Sequence, residues 1–148
     1  MSATAKDPPG GNLPLDPVLL VDDEQTHLAL CADALAGYFE VTTATSTREA
    51  WSILNKRTFK VVICDHLMPG GNGLSLLIDT RKEYPLMQRV LVTAYMKPES
   101  LQHSVNEAGL YRYLLKPVSL PELIKTVTDA AKLHDRALTE GTSNAGER

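Results

Sequence analysis

Short apolar runs alternate with helix-like segments along the central part of the chain. Buried-type runs occur at 18–21, 61–64 and 89–92, and β-prone segments at 40–44 and 111–115 bring the predicted strands to five. Several runs are continuously apolar rather than alternating, which is typical of strands that are covered on both faces. The pattern therefore predicts a sheet buried between two layers of helices.

A helix is predicted after each strand. Serine and glutamate side chains at 46–49 and again at 119–122 match capping boxes, which satisfy the first free amides of a helix. Asn72 can cap the third helix, and Pro98 suits the first turn of the fourth. Alternating strands and helices with right-handed crossovers give a doubly wound parallel α/β sheet with helices on both faces.

The composition changes near both ends of the chain. Residues 1–16 are rich in proline, glycine and small polar residues and lack an apolar period, and residues 137–148 have a similar character. We predict one folded domain at 17–136, with a disordered tail on each side of it.

The composition argues against several classes of function. The 148 residues are 43% hydrophobic and 22% charged, and the formal net charge of −3 favours neither nucleic-acid nor membrane binding. No apolar run approaches the roughly 20 residues that a membrane helix needs. Cys31 and Cys64 lie in apolar patterns far apart in the sequence, so we expect two buried free thiols and a cytoplasmic protein.

Chemically distinctive residues stand at the predicted carboxyl ends of the strands. Asp22 and Asp23 follow the first strand, Asp65 the third, Thr93 the fourth and Lys116 the fifth. Ligands of such sheets bind in the crevice beyond the carboxyl ends of the strands. We therefore expect these side chains to form one site.

Three carboxylates at one edge repel one another. Two like charges about 4 Å apart cost roughly 1 kcal/mol in water and about 4 kcal/mol at an effective dielectric constant of about 20. A divalent cation would relieve this repulsion, and ligands that are all oxygen suit Mg²⁺. With the lysine and the hydroxyl, the site fits a phosphoryl group, and a carboxylate can act as the nucleophile that forms an aspartyl phosphate.

Four segments resemble the signatures of response-regulator receiver domains, the CheY-like family. They are 20–24, 64–69, 92–94 and 115–117, with the sequences LVDDE, CDHLMP, VTA and LKP. The segments occur in the family's order, each at the end of an expected strand, and the likeness spans 17–136. The resemblance implies a flavodoxin-like five-stranded sheet with strand order 2-1-3-4-5.

The resemblance also implies a phosphoacceptor and a metal site. Asp65 would accept the phosphoryl group. Asp23 would bind Mg²⁺ directly and Asp22 mainly through water. Asp65 and the backbone carbonyl of Leu67 would complete the protein ligands.

Three further residues would respond to phosphorylation if the resemblance holds. Lys116 would pair with the phosphoryl group, Thr93 would move toward it, and Tyr113 would swing inward as the coupled aromatic residue. The bond from Lys116 to Pro117 is often cis in this family, whereas only about 5–6% of bonds preceding proline are cis in folded proteins generally.

The chain departs from the family pattern after the third strand. An acidic residue usually stands just before the glycine there, whereas this chain has Gly-Gly-Asn-Gly at 70–73. We expect these glycines to loosen the loop beside the acceptor. We also expect the bulky Leu67 and Tyr95 to influence the access of water to the phosphoryl group.

The leading hypothesis is a phosphorylation switch in two-component signalling. A histidine kinase or phosphotransfer protein, or a small phosphodonor, would phosphorylate Asp65, and the domain would catalyse only its own phosphorylation and dephosphorylation. The change would alter the surface of the fourth helix, fifth strand and fifth helix, at about 98–131. That surface would bind an effector protein or a second copy of the chain, unless the output comes from a fused domain outside this chain.

Other interpretations remain open for individual residues. Asp22 and Asp23 could stabilise a helix N-terminus through its macrodipole, and Thr93 could be an ordinary β-branched strand residue. Tyr113 could be a packing residue. Side chains alternate along a strand, so we expect His66 on the opposite face from the acceptor and assign it no metal role.

Two other functions compete with the leading hypothesis. A pseudo-receiver that serves only as a docking module would not bind Mg²⁺. A phosphohydrolase of the haloacid-dehalogenase type also uses an aspartate nucleophile and Mg²⁺. Such enzymes need a second aspartate two residues after the nucleophile, and this chain has Leu67 there.

Overall fold

Five parallel strands form the central sheet. The computed structural model describes residues 14–68, 71–94 and 98–147. The strands are β1 (Asp16–Val21), β2 (Phe39–Ala44), β3 (Val61–Asp65), β4 (Gln88–Thr93) and β5 (Arg112–Leu115). They pair in the order β2-β1-β3-β4-β5. This confirms the predicted flavodoxin-like sheet with strand order 2-1-3-4-5.

In the described residues, five helices cover the two faces of the sheet. They are α1 (Gln25–Ala36), α2 (Thr47–Leu54), α3 (Gly73–Glu83), α4 (Pro98–Ala108) and α5 (Leu120–Glu147). A short antiparallel hairpin, in which Leu67–Met68 pairs with Gly71–Asn72, lies between β3 and α3. Within the described parts of the chain, no helix is both long and apolar enough to cross a membrane.

Side-chain caps begin three of the helices at the predicted positions. Oγ of Ser46 accepts a hydrogen bond from the amide of Glu49 at 3.0 Å, and Oε1 of Glu49 accepts one from the amide of Thr45 at 2.6 Å. Oδ1 of Asn72 accepts a bond from the first turn of α3 at 2.8 Å, and Oγ of Ser119 accepts one from the first turn of α5 at 3.3 Å. The capping pattern therefore located these helix starts correctly.

The hydrophobic core has one layer on each side of the sheet. In β1, Val18 and Leu20 belong to the layer under α1 and α5, whereas Leu19 and Val21 belong to the layer under α2 and α3. All four side chains are buried. Both faces of the strand are covered, which explains why its sequence is continuously apolar.

The two cysteines lie in different core layers. Cys31 packs in the layer under α1 and α5, and Cys64 packs in the layer under α2 and α3. Both are buried free thiols, as expected. Burial raises the pKa of each thiol, so both stay protonated and unreactive near neutral pH.

The last helix is longer than the sequence predicts. The predicted disordered tail at 137–148 is helical up to Glu147, as an unbroken continuation of α5. Extending an existing helix costs far less than starting one, and the alanine and leucine at 137–138 are good helix formers. Residues 1–13 of the predicted N-terminal tail lie outside the described residues, and Asp16, its last residue, begins β1.

A buried arginine joins β4 to the end of α4. Arg89 is 5% exposed, and its guanidinium donates hydrogen bonds to the carbonyls of Ala108 at 2.8 Å, Met87 at 2.5 Å and Gly109 at 3.3 Å. The last carbonyls of a helix lack partners within the helix and carry partial negative charge. Burial lowers the pKa of Arg89 to about 10, so the side chain remains charged at neutral pH. The charged guanidinium can therefore donate hydrogen bonds to these carbonyls.

Replacing Arg89 with methionine should lower the free energy of unfolding by about 2–4 kcal/mol, because several buried carbonyls lose their donor. Arg57→Met is the matched control. The Arg57 side chain is 42% exposed and pairs with Glu40 on the surface, so its loss should cost at most about 1 kcal/mol. Urea denaturation measures both variants, and equal losses would contradict the role assigned to Arg89.

Candidate functional site

The predicted site residues meet at one edge of the sheet. Asp22 and Asp23 directly follow β1, Asp65 ends β3, Thr93 ends β4 and Lys116 follows β5. These four strands are consecutive neighbours in the parallel sheet, so their carboxyl ends lie side by side. The predicted residues therefore lie at the edge of the sheet where ligands of such folds bind.

Three carboxylates form the acidic part of the site. One oxygen from each of Asp22, Asp23 and Asp65 lies within 4.8 Å of the others. Asp22 is 4% exposed and Asp65 is 6% exposed, so two of the three groups are held largely out of water. Like charges repel more strongly where water is excluded. The cluster therefore favours a bound cation.

The carboxylate of Asp65 faces the ammonium of Lys116. Oδ1 of Asp65 lies 2.6 Å from Nζ of Lys116, which is an ion-pair distance. Apart from this ion pair, the buried Oδ1 has no further partner among the residues that the structure describes. A carboxylate oxygen can accept more than one contact, so Oδ1 can bind a further group.

Backbone contacts and charge hold Lys116 at the site. Its amide donates to the carbonyl of Thr93 at 2.9 Å, and its bond to Pro117 is cis, in agreement with the resemblance. Burial alone would lower the pKa of Lys116. The adjacent Asp65 and the charges of the other two aspartates outweigh burial and raise this pKa, so Lys116 is a cation at neutral pH.

Both carboxylate oxygens of Asp22 already have protein partners. Oδ1 accepts a hydrogen bond from the amide of Glu24 at 3.0 Å, and Oδ2 lies 2.6 Å from Nδ1 of His27. The amide of Asp22 donates to the carbonyl of Ala44 at 3.0 Å. Asp22 is therefore fixed in place before a ligand binds. The sequence analysis missed His27, whose place in the first turn of α1 brings it back to the end of β1.

Thr93 contacts a histidine that the sequence analysis set aside. Oγ1 of Thr93 lies 3.1 Å from Nδ1 of His66, and the two residues are 2% and 5% exposed. Burial lowers the pKa of His66, although the charge of Asp65 opposes this shift, so the imidazole is neutral near pH 7. Alternation along β3 predicted that His66 would leave the site, but the neighbouring strand β4 brings Thr93 within reach of its ring.

The backbone at the end of β3 packs against the first residue of α3. A Cβ atom at Gly73 would lie 1.9 Å from the carbonyl oxygen of Asp65 and 2.8 Å from Sγ of Cys64. The amide of Gly73 also donates to the carbonyl of His66 at 2.8 Å. From the sequence we expected Gly73 to loosen the loop. In the structure it permits close packing instead. Gly70 lies outside the described residues.

The remaining predicted residues lie at the surface near the site or outside the described residues. Leu67 is 55% exposed in the hairpin after β3, and Tyr113 is 45% exposed on β5. With this exposure, Tyr113 is a surface residue and does not pack in the core. Tyr95 lies outside the described residues.

Comparisons with known proteins agree with this geometry. A family model described as the response regulator receiver domain matches residues 18–128. The hydrogenase transcriptional regulatory protein HoxA of Cupriavidus necator is 36% identical over 115 residues, which are 78% of this chain and 24% of HoxA. The alginate biosynthesis transcriptional regulatory protein AlgB of Pseudomonas aeruginosa is 34% identical over 124 residues, which are 82% of this chain and 27% of AlgB.

A solved structure shows the same fold. The CheY-like response regulator receiver domain protein of Methanospirillum hungatei superposes with a TM-score of 0.77 at 25% identity, over 83% of this chain and 98% of that one. This chain therefore matches a nearly complete receiver structure. It spans only about a quarter of the length of the two curated relatives.

Gly73→Ala should destabilise the protein by about 1–3 kcal/mol or more, because the added methyl group meets backbone that can move only if β3 or α3 shifts. Gly37→Ala is the matched control. Gly37 ends α1 at φ −72° and ψ −15°, a conformation that alanine adopts readily, so the change should be neutral or slightly stabilising. Thermal denaturation compares the two, and a harmless Gly73→Ala would refute the close approach.

Proposed function

Because the chain belongs to the response regulator receiver domain family, we propose that the carboxylate of Asp65 accepts a phosphoryl group. The observation that supports this most directly is the buried Oδ1 of Asp65, which pairs with the ammonium of Lys116 and has no further partner among the described residues. A carboxylate oxygen would attack phosphorus as the bond from phosphorus to the donor breaks, which gives an aspartyl phosphate.

The acidic cluster fits a Mg²⁺ ion. Asp23 and Asp65 would bind it directly, with the backbone carbonyl of Leu67 as a further oxygen ligand. Asp22 would act through a bound water, since both of its oxygens already contact the protein. When bound, the ion neutralises negative charge on the carboxylates and on the phosphoryl oxygens.

Lys116 and Thr93 would bind the phosphoryl oxygens. The raised pKa of Lys116 keeps its ammonium charged, and a charged donor forms the stronger kind of hydrogen bond with a phosphoryl oxygen. Thr93 would donate its hydroxyl proton to another oxygen. These residues lie on β4 and just after β5, so their movement would be passed to the neighbouring surface of α4, β5 and α5.

That surface would carry the signal to a partner. Tyr113 is 45% exposed and Leu115 is 38% exposed on β5, which gives the surface apolar area for an effector protein or a second copy of the chain. Tyr113 would turn inward when the switch operates.

The site would take its phosphoryl group from a cytoplasmic histidine kinase or phosphotransfer protein. The relatives are named as transcriptional regulators, and this chain spans about a quarter of their length. The output would therefore come from a partner or from a fused domain. The receiver itself would catalyse only its own phosphorylation and dephosphorylation and would not touch nucleic acid or membrane.

Incubation with Mg²⁺ and a small phosphodonor should add one phosphoryl group to the protein. Asp65→Asn should add none, because an amide is not a nucleophile of this kind. Asp79→Asn, which changes an exposed acid on α3, should be labelled like the wild type. Intact-protein mass spectrometry measures the addition. Equal labelling of wild type and Asp65→Asn would reject the assignment, and a wild type that is never labelled would favour the pseudo-receiver.

A further inference from the structure

The contact between His66 and Thr93 joins two buried side chains that are far apart in sequence. Nδ1 of His66 lies 3.1 Å from Oγ1 of Thr93. His66 directly follows the proposed phosphoacceptor, and Thr93 is the hydroxyl residue of the proposed switch. The position of this hydroxyl is therefore set by a protein group before any phosphoryl group is present.

The backbone around His66 is anchored on two sides. The amide of His66 donates to the carbonyl of Val92 at 2.9 Å, and its carbonyl accepts from the amide of Gly73 at 2.8 Å. These bonds tie His66 to β4 and to α3. A Cβ atom at Gly73 would clash with the carbonyl of Asp65, so the backbone here is closely packed. The imidazole itself is 5% exposed, so the surrounding atoms limit how far it can follow the hydroxyl of Thr93.

Hydrogen-bonding capacity makes this contact relevant to the switch. A threonine hydroxyl can donate one hydrogen bond and accept others, and Nδ1 of an imidazole can donate or accept. Whichever group donates, moving Oγ1 away from His66 would break the 3.1 Å contact with Nδ1. Breaking a buried hydrogen bond costs free energy because a desolvated polar group loses one of its partners.

We propose that His66 is a positioning residue that holds the Thr93 hydroxyl in its unphosphorylated place and so opposes the switch. This inference rests on the function proposed for Asp65 and assigns the regulation of that same site. The activated arrangement must then overcome the His66 contact. Removing the imidazole nitrogen should therefore favour that arrangement.

The affinity for beryllofluoride, a phosphoryl mimic, measures how strongly His66 opposes the activated arrangement. In the presence of Mg²⁺, His66→Leu should bind beryllofluoride about tenfold more tightly than the wild type, which is the typical effect of one buried hydrogen bond. In a Thr93→Val background, where position 93 has no hydroxyl, His66→Leu should change the affinity little. The two comparisons form a double-mutant cycle that isolates the contact. Fluorine NMR titrations give the dissociation constants.

A conservative replacement separates positioning from packing. His66→Asn offers an amide near the place of Nδ1 and should restore an affinity close to that of the wild type. If His66→Leu does not fold, as judged by circular dichroism, His66→Phe removes the nitrogen and keeps the ring shape, and the same gain is expected.

Several outcomes would overturn the inference. An unchanged or weaker affinity of the apolar variants contradicts it, and so does an equal gain with and without the Thr93 hydroxyl, which would indicate packing alone. A wild type that does not bind beryllofluoride contradicts the proposed function instead. Binding by the wild type without an effect at His66 contradicts only the role of His66.

Discussion

The buried carboxylate of Asp65 is the constraint on which the rest of the site depends. Its Oδ1 lies 2.6 Å from Nζ of Lys116 and has no other partner among the described residues. Two more carboxylates approach within 4.8 Å. Carboxylates held this close repel one another. In the function that we propose, a cation would relieve this repulsion and Lys116 would pair with the phosphoryl group.

The surrounding fold keeps this arrangement from relaxing. Gly73 brings α3 against the carbonyl of Asp65, and the amide of Lys116 is tied to the end of β4. Arg89 lies near the start of β4 and anchors the end of α4. Thr93 lies at the end of β4 and contacts His66. These contacts restrain the backbone around Asp65. The Thr93 hydroxyl, which contacts the buried imidazole of His66, is the group that we expect to move.

Much of the fold and the site could be predicted because each depends on local rules. Helices cover both faces of β1, so its sequence is continuously apolar. Parallel strands bring their carboxyl ends together, so Asp65 and Lys116 could be paired from sequence alone. The helix starts could be predicted from the capping residues, because a cap acts within one turn of the helix.

The errors concern contacts between segments. The alternation of side chains along β3 predicts the face to which His66 points. It does not predict that Thr93 on β4 lies within reach of the imidazole. Arg89 stands at the start of an apolar run, and only the tertiary structure reveals the helix carbonyls that accept its hydrogen bonds. The extension of α5 to Glu147 depends on a helix that already exists. The glycine, threonine, serine and asparagine at 141–144 do not indicate it.

The most direct test of the charge arrangement is the effect of Mg²⁺ on the stability of the wild type and of Asp23→Asn. Without metal, the variant should be the more stable protein, because one of three mutually repelling charges is gone. With Mg²⁺ at about 100 times its dissociation constant, the wild type should gain about 2.7 kcal/mol in its free energy of unfolding, and the variant much less. Equal stabilisation of both proteins by Mg²⁺, or of neither, would contradict the account.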